Sequence, residues 1–224
     1  MSSRLKIDPR KAPAYTVGEA SHFLNVPSAT IRWWSVGRDS YEGLIKPAGL
    51  DPLLLSFLNL VELHVVAAIR RDHKLPLPKV RAAIEYLAEQ YGDEHPLISK
   101  NLQTDGLDLF VEHLGHLVNI SRKGQMAMRA MLSAALKRID RDAAGIPIKL
   151  YPFTRQNFTD SPAIVVIDPK ISAGRPVLKG SGVATEVIAE RYKAGDSIGD
   201  LARDYGRSPE EIEEAIRCEF PRVA

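Results

Sequence analysis

Cysteine is almost missing from this chain of 224 residues. A lone Cys218 closes no intrachain disulfide and builds no thiolate zinc cage, which suits a reducing compartment and excludes zinc-finger and dithiol chemistry. Long apolar runs are missing too. No stretch approaches the roughly 20 residues of a membrane helix, and the opening Met1-Ser-Ser-Arg-Leu-Lys-Ile-Asp-Pro has no apolar signal core. A cytoplasmic protein without membrane contact is expected. An excess of one charge is also lacking: 30 basic against 28 acidic side chains leave +2, which argues against a broad basic surface of the kind that grips nucleic acid. Low-complexity tracts and solenoid periods do not occur.

What is present is a globular composition, 45% apolar and 26% charged, with length for two or three modest domains. Charge is distributed unevenly, +1 over residues 1–95, +3 over 96–160 and −2 over 161–224. The chain opens on a basic arm of Arg4, Lys6, Arg10 and Lys11 against Asp8. Tyr15 to Trp34 then reads as two short helices. Thr16 is an N-cap with Glu19 three residues on, Ser28 is a second cap, and Asn25 suits the left-handed residue of a tight turn. Ser21 is small where the helices touch, Leu24 and Val26 pack beside the turn, and Ile31 locks the second helix, which is the spacing of a helix-turn-helix. Ser28, Ala29, Thr30 and Arg32 face solvent from the second helix. The irregular segment from Gly37 to Pro52 makes a wing carrying Arg38, Tyr41 and Lys46. Thr30 and Arg32 are expected on base edges or phosphates of double-stranded DNA, with the wing on the adjacent backbone and the basic arm in a minor groove. A three-helix core that binds nothing is the alternative.

Ser56 to Arg71 is a helix apolar almost all round, broken by Asn59, Glu62 and His64, so it must be covered on more than one side. One face, with Phe57, Leu58, Val61, Val65 and Ile69, is expected to form a homodimer surface. Lys79 to Tyr91 is a helix ended by Gly92. Leu97 to Gln103, Leu107 to His113 and His116 to Ile120 read as short strands, the first two joined by an Asp105-Gly106 hairpin. A helix from Gln125 to Asp142 carries Met128, Met131, Leu132, Ala135 and Ile139 along one stripe, and strands follow at Ile146 to Tyr151 and Ala163 to Ile167. A hairpin over Gly174 to Gly182 leads to three helices, Thr185–Ala194, Ile198–Tyr205 and Pro209–Phe220. The expected fold is α+β, mainly α: a winged helix-turn-helix with dimerisation helices over 1–95, a small antiparallel sheet with a helix over 96–160, and a three-helix unit with a short hairpin over 161–224.

Ala202, Gly206 and Ile212 repeat the helix-turn-helix spacing near the C-terminus. There the second helix carries Glu210, Glu211, Glu213, Glu214 and Glu219 against Arg217, a net −4 that repels phosphate. Such a face suits a basic protein partner, or is merely solvated. Other signals are weaker. His113 and His116 with Glu112 are too few ligands for a metal site. Lys179 to Gly182 reads as a turn before it reads as a phosphate cradle, and Ser121 to Gly124 is either a helix cap or a phosphate clamp. Asp105, Asp108, Asp168 and Asp200 fall in different elements, so no nuclease centre, catalytic residue, metal or cofactor is expected, and the protein reads as a non-enzyme.

Thr16 to Trp34 followed by Gly43-Leu-Ile-Lys-Pro resembles the winged helix-turn-helix opening of MerR-type regulators, whose aromatic pair after Ile31-Arg32 is here Trp33-Trp34. Asn25 stands where that family usually has glycine. The resemblance suggests one indole in the core and the other's N–H on a phosphate, which adds Trp33 to the DNA-facing set. With Leu55 to Glu62, Asp105-Gly106, Ile167-Asp-Pro and Gly174-Arg-Pro-Val, the chain resembles VapB-type antitoxins nearly end to end. Their small C-terminal domain is of unknown function, and their neighbours tend to be PIN-like ribonuclease toxins. That resemblance implies operon autorepression and neutralisation of a cognate toxin, and the charge of Glu210, Glu211, Glu213, Glu214 and Arg217 makes their helix the expected partner-binding face. Gly180-Ser-Gly-Val departs from the Gly-Thr-Arg-Ile of many relatives, so no role of that arginine carries over to this chain. The alternative is a MerR-like regulator whose middle domain binds a small effector in a roomy pocket, apolar with a few convergent polar groups.

Overall fold

The structure, a computed structural model, describes residues 8–38, 41–71, 75–93, 95–155, 157 and 160–220. Helix α1 (Val17–Leu24) starts in the capping box its sequence announces: Thr16 Oγ1 accepts from the Glu19 N–H while the Glu19 carboxylate accepts from the Thr16 N–H. It stops at Asn25, left-handed at φ 52°. Helix α2 (Ser28–Val36) is capped by Pro27 without a side-chain bond, so Ser28 is its first residue and not the expected cap. Strands β1 (Tyr15–Thr16), β2 (Gly49–Leu50) and β3 (Leu53–Leu55) form an antiparallel sheet in the order β1-β3-β2, with Tyr15 opposite Leu55 and Gly49 opposite Leu54.

Helices α3 (Phe57–Arg71) and α4 (Leu77–Tyr91) follow, α4 ending at left-handed Gly92. The apolar circumference of α3 is satisfied within the chain. Phe57, Val61, Val65 and Ile69 are 0% exposed and Leu58 is 3%, because α1, the turn Pro96–Ile98, helix α6 (Arg122–Leu136) and strand β5 (Pro147–Leu150) all pack on it. The five residues expected at a dimer surface are therefore core residues. The expectation failed by assuming that a chain of this size leaves one face of its central helix bare.

The middle of the chain differs most from its reading. In place of three strands stand a 3₁₀ turn at Pro96–Ile98, a π turn at Leu102–Gly106 and helix α5 (Leu107–Val118). Buried Leu107, Phe110, Val111 and Leu114 recur at helical spacing, and each stabilises by about 2 kcal/mol on burial, against a strand preference of tenths of a kcal/mol. Asp105-Gly106 is no hairpin: Gly106 has helical φ −68°. A Cβ there would stand 2.9 Å from the Asn101 carbonyl oxygen. Helix α6 ends at Leu136, so Ile139 lies on strand β4 (Ile139–Arg141), paired with β5 in a two-stranded sheet.

Beyond it, β6 (Val165–Val166) and β7 (Val177–Leu178) pair, and helices α7 (Thr185–Lys193), α8 (Ile198–Tyr205) and α9 (Pro209–Glu219) fall within a residue of their predicted bounds. The fold is mixed and mostly helical. One apolar core runs from Tyr15 through α3 and α5 to Ile167, so the boundary expected at 95/96 falls inside it. Leu178, Ile188, Leu201, Ile212 and Ala215 form a second, smaller core. No helix among the described residues is long and apolar enough to cross a membrane.

Candidate nucleic-acid interface and the unit clasped to it

Helix α2 has two sides. Ile31, Trp34 and Ser35 are buried at i, i+3 and i+4, which leaves Ser28, Ala29, Arg32 and Trp33 exposed and Thr30 half-buried. The indoles divide as the resemblance suggests, Trp34 3% exposed and Trp33 36%. The wing hangs from the end of this helix: the Trp34 carbonyl accepts from the N–H groups of Leu44 and Ile45 at 2.6 and 3.2 Å. Arg38 and Tyr41 exchange backbone bonds of 2.9 and 3.0 Å and stand exposed at its tip. Two glycines permit so tight a return. Cβ atoms at Gly37 and Gly43 would lie 2.0 Å from the Tyr41 oxygen and 2.3 Å from the Ser35 oxygen. Lys46 is exposed, and its carbonyl accepts from Asn59 Nδ2 at 2.8 Å.

The structure thus brings together Ser28, Arg32 and Trp33 on α2 with Arg38, Tyr41 and Lys46 on the wing. Of the arm, Lys11 is exposed but Arg10 is spent: its guanidinium holds Asp8 at 2.7 Å and Asp142 at 2.6 Å, and these bonds raise its pKa. Arg4 and Lys6 lie outside the described residues.

The acidic face of α9 is smaller than its sequence suggests. Glu210 and Glu213 are exposed. Glu211 closes a capping box with Ser208 and meets Arg207. Glu214 is 1% exposed, accepts from Thr154 Oγ1 at 2.5 Å and pairs with Arg155 and Arg217 at 2.5 and 3.2 Å. It ties α9 to the main core and is no part of a docking face. Arg217, exposed itself, is engaged in that tie.

A feature with no local signal lies between α1 and the C-terminal unit. Tyr15 Oη donates to the Gly174 carbonyl at 3.1 Å, with Gly174 at φ 79° and so close that a Cβ would be 2.2 Å from that hydroxyl. His22 Nε2 meets Glu219 Oε2 at 2.9 Å, the other Glu219 oxygen accepts from Thr185, and Arg175 lies between Glu19 and Glu186 at 3.4 and 3.6 Å. The hydrogen bond to Glu219 raises the His22 pKa against burial. Burial pushes the Glu219 carboxyl up, but His22 and Thr185 hold it below its usual value.

Several minor signals prove to have local uses. His113 stacks on Tyr86 with centroids 4.0 Å apart, Ser121 caps α6 through the Gly124 N–H, and Ser181 bonds inside its own turn. Among the described residues no three His, Cys, Asp or Glu side chains gather as metal ligands.

Residues 165–217 match a family described as Protein of unknown function (DUF433). Across 91% of this chain and 92% of its own length, "Putative antitoxin VapB45" of Mycobacterium tuberculosis is 28% identical. "Uncharacterized protein Rv2308" of the same organism is 28% identical over 90% and 88%. The crystal structure of Rv2018 from Mycobacterium tuberculosis superposes with a TM-score of 0.70 over 92% of this chain and 98% of that one, at 24% identity. The likeness to Rv2018 is one of fold. The DUF433 match begins at β6 and closes within α9, so it covers the smaller core and most of the surface clasped to α1.

Proposed function

We propose that the chain is a non-enzymatic, DNA-binding antitoxin of a type II toxin-antitoxin pair, which represses its own operon from the cytoplasm and neutralises a PIN-like ribonuclease. The observation that carries the DNA half is the two-sided α2 helix beside its wing, with Ser28, Arg32 and Trp33 exposed next to Arg38, Tyr41 and Lys46. The toxin half rests on the chain-long likeness to a protein named putative antitoxin. In this reading a MerR-like unit within residues 1–95 reads double-stranded DNA through Ser28, Thr30, Arg32 and Trp33, while the wing and Lys11 grip phosphates. Residues 96–160 brace it, and residues 161–224 present Glu210 and Glu213 to a basic toxin surface. A homodimer places two α2 helices on paired half-sites through a surface other than α3.

A gel-shift titration of the full chain on a duplex from its own upstream region tests the DNA half. Salt-sensitive binding is expected, with Arg32→Ala weakening it about tenfold, as loss of one base or phosphate contact does. Affinity unchanged by Arg32→Ala removes α2 from the interface.

A further inference from the structure

The side of a helix that faces water is ordinarily polar, yet the outward side of α2 is not. Ala29, Trp33 and Val36 stand on it at i, i+4 and i+7. Ala29 is exposed, and the two large side chains are 36% and 42% exposed. The core is already served by the opposite side, through Ile31, Trp34 and Ser35, so folding does not require this second apolar row.

What frames the row is basic. Helix α2 holds Arg32 and no acidic residue, and the wing beside it exposes Arg38 and Lys46 against Glu42. Such a frame is complementary to a polyanion. The occupant must therefore present apolar groups between anionic walls. Duplex DNA does so in one way: phosphates line its major groove, and the C5-methyl of thymine is the apolar group among the base edges exposed there. Other base edges carry donors and acceptors that Ala29 and Val36 cannot pair, and covering them unpaired costs free energy. Position agrees with composition. Residues near the N-terminus of a recognition helix reach base edges. Ala29 is the second residue of α2, and Trp33 follows one turn on.

We propose that Ala29 and the ring of Trp33 read thymine C5-methyl groups, which makes thymine a determinant of the sequence this chain binds. The inference rests on the DNA reading above and deepens it, by naming the feature of the bases that α2 recognises.

Two duplexes of one upstream sequence, made with thymine or with deoxyuridine throughout, are titrated against the full chain by gel shift. They share pairing and phosphates and differ in the methyl groups alone. The thymine duplex is expected to bind at least about fourfold tighter, the worth of one buried methyl group. Ala29→Ser, a small change at an exposed position, should at least halve that ratio with helix content unchanged by circular dichroism. Equal affinity for the two duplexes, with Arg32→Ala still weakening both, overturns methyl reading and leaves the DNA reading in place. Absence of salt-sensitive binding to either duplex overturns both. A thymine preference unchanged in Ala29→Ser and in Trp33→Ser comes from the duplex itself and overturns the proposal; should Trp33→Ser not fold, Ala29→Ser decides alone. Self-association without DNA, measured by sedimentation velocity and lost in Ala29→Ser, assigns the row to a second copy and overturns it as well.

Discussion

His22 and Glu219 are 197 positions apart in sequence and meet Nε2 to Oε2 at 2.9 Å. Their shifts have opposite signs, which defines a window. His22 is raised above its ordinary 6.5, so its contribution to stability is full below that pH and is lost as pH rises through the folded value. Glu219 is lowered from its ordinary 4.5, so its contribution is full above that pH and is lost as pH falls through the folded value. Glu186 and Lys193 lie near enough to act on His22 in opposite directions. The stability difference between the native chain and His22→Gln, measured by urea denaturation, should peak near pH 5 to 6 at about 1 kcal/mol, the upper end for a partly exposed pair. A difference flat across pH removes the ion pair as its source. Residues of this kind were illegible in the sequence. A run of glutamates on one helix reads as an acidic surface, and nothing local says that Glu214 turns inward to Thr154 and Arg155. The exposed α2 residues were legible, because Ile31 and Trp34 at helical spacing already define the opposite, buried side.

At the scale of elements, caps and turns carried most of the information. Thr16 with Glu19, Ser208 with Glu211, and the positive φ of Asn25 and Gly206 are local geometry, and each stands where its residue types place it. The stretch from Leu97 to Ile120 reads as strands because its apolar residues come in pairs and triplets that fit either period and Asp105-Gly106 is a hairpin signal. Packing against α4 and α6 decides for helix. Gly106→Ala separates the two conformations. In a hairpin turn the cost comes from positive φ, whereas here φ is already helical and the cost comes from the Asn101 carbonyl 2.9 Å away. We expect a loss of about 1 to 2 kcal/mol with helix content unchanged by circular dichroism. A neutral substitution counts against the close approach.

At the scale of the whole molecule, a larger and a smaller apolar core are joined among the described residues by polar contacts that include two buried ones, Tyr15 to Gly174 and Thr154 to Glu214. Tyr15→Phe keeps the ring on Phe23 and removes only the hydroxyl. It should weaken the junction by about 1 kcal/mol. In hydrogen exchange the amides of α7 to α9 should then open roughly fivefold faster while those of α3 keep their protection. Equal acceleration in both places would mean that the contact supports the fold at large. Composition and charge suggest three units, whereas residues of the first two share one core, because shared burial between α3 and α5 leaves no mark on either segment alone. The clasp on α1 has one more consequence. A module on a flexible tether meets its target at an effective concentration set by linker length, and lengthening the tether dilutes it. Here the C-terminal unit is held by direct contact to the helix that precedes α2, so the exposed face carrying Glu210 and Glu213 keeps a fixed distance and orientation from the exposed face of α2. Spacing between the two faces is then a property of the folded surface and not of the length of the connecting chain.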